Sequence, residues 1–313
     1  MFLGLKIHCN GTKRTLHLSQ SNYVKNILSI FKMKLCNPAL TPANPHVCLE
    51  SSKLKFEATL YERKRYQSAV GSLMYAMLRS RPDIDYAVSR VSQYSINSDP
   101  THWTAVKQIF RYLAGIPNRW LCYGNFGSGR GFTDADWGSG EDRRSICGYT
   151  FLLNGPSISW VSSIQSTVAL SYTEAKYMAL TQAVKKSIWL QGLLSDLGVK
   201  RHVEEMQNIK VDNQDAIALA GYSEFHARTK HINIQFHFVQ EHLEKRTITH
   251  IYCPTAEMTA DIFTQGSPHS SFTKYNIGLC LLAHSAFLLD TGTNDNLYDD
   301  VGSNGSTGEG WYY

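Results

Sequence analysis

The sequence lacks the features that mark secreted and membrane-spanning proteins. Its seven cysteines are scattered, their number is odd, and no Cys-x-x-Cys pair occurs, a pattern that predicts reduced thiols rather than disulfides or a cysteine-bound zinc. No charged and then apolar leader opens the chain. The longest apolar run, at residues 277–289, is interrupted by His284 and Ser285 and is shorter than the roughly 20 residues that a membrane span requires. We therefore expect a cytoplasmic or nuclear protein that is not secreted and has no membrane partner.

A phosphate-binding glycine loop is also missing. Several glycines lie close together between residues 124 and 131, but neither a Lys-Ser or Lys-Thr pair nor a helix start follows them. The rest of the composition is that of a globular chain, with 43% hydrophobic and 18% charged residues over 313 positions, enough for two domains. The net charge is +5. A basic body suits a nucleic acid because Lys and Arg release counterions from phosphates, although a basic solvated surface explains the charge equally well.

Hydrophobic periodicity predicts a mainly helical first part. Residues 1–50 contain a hairpin signal at Asn10-Gly11, a helix that ends near Phe31, and a proline-containing connector. Residues 51–125 contain three amphipathic helical segments. We interpret these two stretches as a small helical region in front of a second, different domain.

The second part, residues 126–265, changes to short strands. Three antiparallel strands precede a long helix at residues 172–197, and strand–helix units follow. This order predicts an α/β fold in which a mixed five-stranded sheet carries flanking helices. Residues 266–313 become rich in Gly, Ser, Asn and Asp towards their end, so we expect this tail to be disordered.

Acidic residues in the second part suggest metal chemistry. Asp134 and Asp136 lie two apart on the first strand, which places both side chains on one face. Asp212 ends a later strand, and Asp261 lies on the last predicted helix. Carboxylates around one sheet edge can hold two Mg²⁺ ions that clamp the attacking and leaving oxygens in phosphodiester cleavage. Each Asp alone is more often a cap or turn residue, so spacing does not decide between the two interpretations.

The acids belong to short motifs that follow one another in a fixed order. In the second part these are Gly131-Phe132-Thr133-Asp134-Ala135-Asp136-Trp137, Gly148-Tyr149, Asp212-Asn213-Gln214 and Ala260-Asp261-Ile262-Phe263-Thr264, and in the first part Phe2-Leu3-Gly4, Arg81-Pro82-Asp83-Ile84 and Arg111-Tyr112-Leu113-Ala114-Gly115. Together they resemble the end of the reverse transcriptase and the ribonuclease H domain (RNase H) of copia-type LTR-retrotransposon Pol polyproteins, over roughly residues 1–265. Each motif alone is weak evidence, whereas their order over this length is specific.

The resemblance implies that residues 1–50 are the end of the reverse-transcriptase palm and thumb, and that residues 51–125 are a helical thumb and connection region. It implies an RNase H-like fold for residues 126–265. It also implies cleavage of the RNA strand of RNA–DNA hybrids during reverse transcription, with Asp134, Asp212 and Asp261 as ligands of two Mg²⁺ ions. The family's paired-Asp polymerase motif lies upstream of this stretch, so we expect no polymerisation by this chain and a partner in the upstream reverse-transcriptase half. The cytoplasmic compartment would then be a virus-like particle.

One position departs from the family pattern. Where the family has Thr-Glu-Ala-Glu-Tyr, this chain has Thr173-Glu174-Ala175-Lys176-Tyr177. Helical periodicity places position 176 on the face of Ala179 and Leu180, which we expect to pack on the sheet. Lys176 would therefore replace the catalytic acid, repel Mg²⁺ and weaken or abolish hydrolysis. The alternative is that Glu174 is the ligand or substitutes for the lost acid.

Two further alternatives remain open at this point. The chain could be a catalytically dead nucleic-acid-binding module or a degenerate transposon remnant, which Lys176 favours. Its histidines could also bind zinc, although a Cys-x-x-Cys half-site is missing. Four residues of one basic stretch are candidates for contact with the hybrid backbone, while an exposed loop explains them equally well. They are His226, Arg228, Lys230 and His231.

Overall fold

A computed structural model describes residues 4–51, 58–124, 127, 129–138, 140, 142–221 and 230–283. The first part contains, in order, β1 (Lys6–Asn10), β2 (Thr15–Ser19), α1 (Ser21–Ile30), α2 (Leu60–Ser80), a 3₁₀ turn (Pro82–Ile84), α3 (Asp85–Ser92), α4 (Pro100–Gly115) and β3 (Arg119–Tyr123). The second part begins with β4 (Arg130–Ala135), β5 (Ile146–Leu152), β6 (Ser157–Ile164), α5 (Tyr172–Asp196) and α6 (Lys200–Glu205). It continues with β7 (Asn208–Val211), α7 (Gln214–Gly221), α8 (Lys230–Glu244), β8 (Thr249–Tyr252), two 3₁₀ turns (Thr255–Glu257 and Thr259–Phe263), α9 (His269–Gly278) and β9 (Leu281–Ala283).

The second part is built on a five-stranded mixed sheet. Its strand order is β6-β5-β4-β7-β8, with β6, β5 and β4 antiparallel and β7 and β8 parallel to β4. The β5–β6 turn needs left-handed backbone at Asn154 and Gly155, with φ of 52° and 112°, which these two residue types tolerate. Helix α5 packs on β4 and β5. The predicted α/β fold, with a mixed five-stranded RNase H-like sheet and flanking helices, is confirmed.

The first part carries a second sheet that the sequence did not reveal in full. The Asn10-Gly11 hairpin forms as predicted, with Asn10 opposite Thr15. Two more strands extend it to the order β1-β2-β3-β9. Strand β3 pairs with β9, which lies more than 150 residues later in the sequence. Local patterns do not encode such a distant pairing, and both strands were missed.

The predicted disorder from residue 266 is corrected over residues 266–283. Helix α9 and β9 lie in this stretch, where Phe272, Leu279 and Leu281 join the core of the first part. The Arg119 guanidinium also donates from Nη1 to the Leu281 carbonyl (2.9 Å). Apolar side chains spaced along the stretch bury enough surface to order it. The remainder of the predicted tail, residues 284–313, lies outside the described residues.

One hydrophobic core joins the two parts of the chain. Leu73 of α2 and Phe110 of α4 belong to the same buried cluster as Ile262 and Phe263 near the sheet of the second part. A second cluster, around Tyr177 of α5, fills the other face of the five-stranded sheet. The boundary near residue 125 therefore does not separate two cores, and strand β9 from the second part belongs to the first sheet.

A buried ion pair explains the Arg81-Pro82-Asp83 motif. The Arg81 guanidinium donates to Asp83 from Nε (2.9 Å) and Nη2 (2.7 Å), and both side chains are almost fully buried. The Tyr112 hydroxyl of α4 donates to the same carboxylate (2.6 Å). The buried Asp83 carboxylate therefore accepts a further hydrogen bond beside the bidentate pair with Arg81. The motif holds α2, α3 and α4 together.

Candidate functional site

Three aspartates meet at the edge of the five-stranded sheet. β4 and β7 are parallel neighbours in which Thr133 lies opposite Val211, so the residues that follow, Asp134 and Asp212, lie side by side. Asp261 comes from the 3₁₀ turn Thr259–Phe263. One carboxylate oxygen of each aspartate lies within 4.8 Å of the other two. We call this group the acid cluster.

A glycine allows the third aspartate to approach. The turn that carries Asp261 packs directly on β5 at Gly148, where an added Cβ would lie 2.7 Å from the Phe263 Cβ and 3.0 Å from the Ala260 carbonyl oxygen. The first distance is shorter than real Cβ atoms show, and the second is tighter than nine in ten real Cβ contacts. Any larger residue at position 148 would push the turn, and Asp261 with it, away from the strand.

The side chain of Lys176 lies inside the acid cluster. Its ammonium donates to Asp134 and to both oxygens of Asp212, at 2.8 and 2.9 Å. The Lys176 side chain is 3% exposed, and its Nζ lies 4.9 Å from the centre of the Tyr172 ring. Burial alone would lower the pKa of Lys176, but the Asp134 charge and the hydrogen bonds to both carboxylates raise it above its usual range. The side chain is therefore a cation held between two anions.

Each aspartate of the cluster also accepts a hydrogen bond from a hydroxyl group. Thr264 donates to Asp134 (2.7 Å), Thr255 to Asp212 (3.3 Å) and Tyr275 to Asp261 (3.0 Å). Thr264 belongs to one of the sequence motifs. Tyr275 lies in the stretch expected to be disordered, so sequence reasoning missed it.

Asp261 differs electrostatically from the other two acids. Burial raises its pKa to about 8, and the nearby Asp134 charge adds to this, although the Tyr275 hydrogen bond and Lys176 oppose it. A pKa raised in this way favours the protonated form of the carboxyl group. The cluster therefore carries less negative charge than its three carboxyl groups suggest.

The acid cluster with Lys176 in place does not fit a divalent cation between Asp134 and Asp212. Three carboxylates within 4.8 Å are by themselves a suitable ligand set for a hard cation. However, the Lys176 ammonium already bonds both aspartates, and its charge would repel a metal ion at the same place. Geometry of the carboxylates favours a metal site, whereas the contacts of the lysine oppose one, and the contacts decide because they occupy the ligand oxygens.

The remaining candidate residues lie apart from the cluster or outside the description. The Glu174 carboxylate accepts the Leu170 amide (2.9 Å), while its own amide donates to Ser171 (3.1 Å), so it caps the start of α5. His226 and Arg228 lie outside the described residues, and of Lys230 and His231 only the helical backbone is described. Within the described ranges, the acid cluster is the one group of three or more potential metal ligands that meet.

The sheet order and the aspartates at its edge define the class of this chain, an α/β protein with an RNase H-like fold. Comparison with known proteins gives the family. The chain is 42% identical over 279 residues to the retrovirus-related Pol polyprotein from transposon TNT 1-94 of Nicotiana tabacum. This alignment covers 86% of this chain and 20% of that protein. It is 33% identical over 280 residues to the Pol polyprotein from transposon RE2 of Arabidopsis thaliana, covering 88% of this chain and 18% of that protein. The chain belongs to the retrovirus-related Pol polyproteins of copia-type transposons.

Further findings delimit this assignment. The chain spans about a fifth of the length of these polyproteins. It is also 47% identical over 128 residues to the secreted RxLR effector protein 161 of Plasmopara viticola, covering 40% of this chain and 90% of that protein. No family model matches the chain. Among the helices in the described ranges, none has the length and hydrophobicity needed to cross a membrane.

Proposed function

We propose that this chain contains a retrotransposon-derived RNase H-type domain whose substrate is the RNA strand of RNA–DNA hybrids, and that Lys176 disables its hydrolysis. The observation that carries the proposal is the pair of contacts from the Lys176 ammonium to Asp134 and Asp212. The domain would act beside the upstream reverse-transcriptase half of its polyprotein. It would work in the cytoplasm, within a virus-like particle, or in the nucleus.

Electrostatics supports the loss of hydrolysis. A carboxylate at position 176 would add a fourth acid to the cluster, whereas the ammonium changes the local charge by two units. At 4 Å and an effective dielectric constant of about 20, an ammonium repels a divalent ion by about 8 kcal/mol. The Mg²⁺ ions that the family resemblance implies would need the same oxygens that Lys176 bonds. A metal would have to displace an internal cation that cannot diffuse away.

A second candidate function is hybrid binding without cleavage. The lysine contacts favour it, because they neutralise the cluster without removing the fold that presents it. Such a module would bind nucleic acid through its basic surface, with an affinity that falls as salt rises.

The first experiment compares cleavage of a labelled RNA–DNA hybrid by the full chain and by the Lys176→Glu variant in Mg²⁺. We expect no cleavage by the natural sequence and measurable cleavage by Lys176→Glu. Lys185→Glu makes the same charge change at an exposed position of the same helix and should stay inactive. The double variant Lys176→Glu, Asp134→Asn should lose the restored activity.

The opposite results are equally informative. Cleavage by the natural sequence that Asp134→Asn abolishes would show that Lys176 does not disable the site. Binding of the hybrid by all variants, with no cleavage by any, would favour the non-hydrolytic module. The full chain is required, because cutting it near residue 120 or 279 would break the sheet that β3 and β9 share with β1 and β2.

A further inference from the structure

A cavity of about 410 Å³ lies between the proline-containing connector, residues 37–50, and helices α3 and α4. The connector crosses these helices, and a hydrogen bond attaches it to them near each end. At one end Gln108 donates to the Thr41 carbonyl (2.9 Å), and at the other Tyr94 donates to the Leu49 carbonyl (2.7 Å). A connector held at both ends keeps the space beneath it open. Ligand pockets typically measure roughly 300–1,000 Å³, so this cavity is large enough for a small molecule.

The cavity also borders the second part of the chain. Asp136 and Thr264, which flank the acid cluster, line one side of it. The connector is in close contact there, since an added Cβ on Gly266 would lie 3.1 Å from the Pro45 Cα. The cavity is therefore built by both parts and lies next to the acid cluster without including its three aspartates.

Arg90 of α3 is the unusual group on the cavity wall. It is 8% exposed, yet its guanidinium makes a single hydrogen bond within the described ranges, from Nη2 to the Leu49 carbonyl (3.3 Å). No carboxylate of the described residues lies within ion-pair distance of it. A guanidinium has five N–H donors, so most of the Arg90 donors have no protein acceptor within the described ranges. Donors left over at a cavity indicate a ligand that presents acceptors.

The other walls narrow the chemistry of that ligand. Pro42, Pro45 and Ala105 provide apolar surface, which suits a flat ring rather than a small hydrated anion. Asp136 brings an acceptor to the same cavity and would disfavour a purely anionic ligand. A ring with an acceptor edge can accept from Arg90 while its donor edge faces Asp136.

We propose that this cavity binds one nucleobase, with guanine as the best fit. An arginine recognises guanine through two acceptors, O6 and N7, and a carboxylate can accept from the N–H groups on its other edge. The base could belong to a free nucleoside or to an unpaired position of a nucleic-acid strand. The proposal stands on the cavity and does not depend on the proposed function.

The test is calorimetric titration of the full chain with guanosine and with 7-deazaguanosine, which lacks the N7 acceptor. Loss of one charged hydrogen bond should weaken binding about 10-fold or more. The Arg90→Met variant should weaken guanosine binding by at least as much and bind the two nucleosides equally. Thr104→Trp, at the exposed rim of the cavity, should block binding without a change in the core. Arg201→Met removes an exposed guanidinium elsewhere and should bind like the natural sequence.

Two outcomes would overturn the assignment. One is the absence of guanosine binding by a folded chain. The other is equal affinity for guanosine and 7-deazaguanosine that neither Arg90→Met nor Thr104→Trp alters. A short oligonucleotide with one unpaired guanine identifies the source, because tighter binding than guanosine assigns the base to a strand. Binding of a fully paired duplex without binding of guanosine is a case of the first outcome.

Discussion

The position of Lys176 predicts that its loss makes the stability of this protein depend on a metal. The Lys176→Met change keeps a long unbranched side chain but removes the ammonium that bonds Asp134 and Asp212. Both carboxylates are almost fully buried, so they would be left without a counter-ion. Removal of one partner of a buried ion pair costs about 3–5 kcal/mol.

The assay is thermal or urea unfolding in EDTA and in Mg²⁺. In EDTA, a loss of that size should lower the Tm of Lys176→Met by roughly 5–8 °C for a chain of this length. Mg²⁺ at 100 times its Kd should then restore about 2.7 kcal/mol to the variant. The natural sequence should show almost no response to Mg²⁺, because its internal cation occupies the carboxylates. Lys185→Met, on the same helix but exposed, serves as the control.

Either of two results would refute this reasoning. If Lys176→Met unfolds in EDTA at the same temperature as the natural sequence, the ammonium is not the counter-ion of the cluster. If Mg²⁺ stabilises both proteins equally, the ammonium does not exclude the metal.

Three other predictions concern the framework around the site. Burial raises the pKa of Asp85 from its ordinary 3.8 to about 7, so the folded state binds the proton more tightly than the unfolded state. The protein should therefore lose at most about 4 kcal/mol of stability as pH rises from about 4 to 7. Asp85→Asn should reduce the difference in stability between pH 5 and pH 8 in urea unfolding, and an unchanged difference would exclude Asp85 as its source. Arg81→Met should lower the free energy of unfolding by about 3–5 kcal/mol because it leaves the buried Asp83 carboxylate without its counter-ion. The double change Arg81→Met, Asp83→Leu should recover part of this loss. A loss equal to the sum of the two single losses would contradict the pairing. Deletion of residues 266–313 should increase hydrogen exchange at the β3 amides, because β9 is their partner, and unchanged protection would show that the sheet does not need β9.

Local sequence patterns were sufficient for the parts of the fold that depend on neighbouring residues. The hairpin at Asn10-Gly11 needs only a turn signal between two short strands. The long helix α5 needs only periodicity and a cap, which Ser171 supplies by accepting the Glu174 amide (3.1 Å). The same periodicity placed position 176 towards the sheet, which is the face on which Lys176 lies.

Other features depend on residues that are far apart in sequence and were not predictable in this way. Strand β9 becomes a strand only because β3 offers it a free edge. Tyr275 reaches Asp261 only because α9 packs against the turn that carries that acid. The bonds from Lys176 to Asp134 and Asp212 are of the same kind, since a sequence shows the charge of a residue but not which carboxylates its side chain can reach.

Under the proposed function, the lysine at position 176 also explains how a site of this type would lose hydrolysis and keep its fold. A cluster of four buried carboxylates is unstable through mutual repulsion until metal ions neutralise it. An ammonium in place of one acid removes a repelling charge and adds two ion pairs at the same time, so the folded state no longer needs the metal. The substitution most damaging to metal chemistry is then among the least damaging to folding, because the same oxygens that would bind the metal now bond the lysine. A protein with this arrangement should fold in EDTA, whereas loss of Lys176 should lower its stability in EDTA and make that stability depend on Mg²⁺.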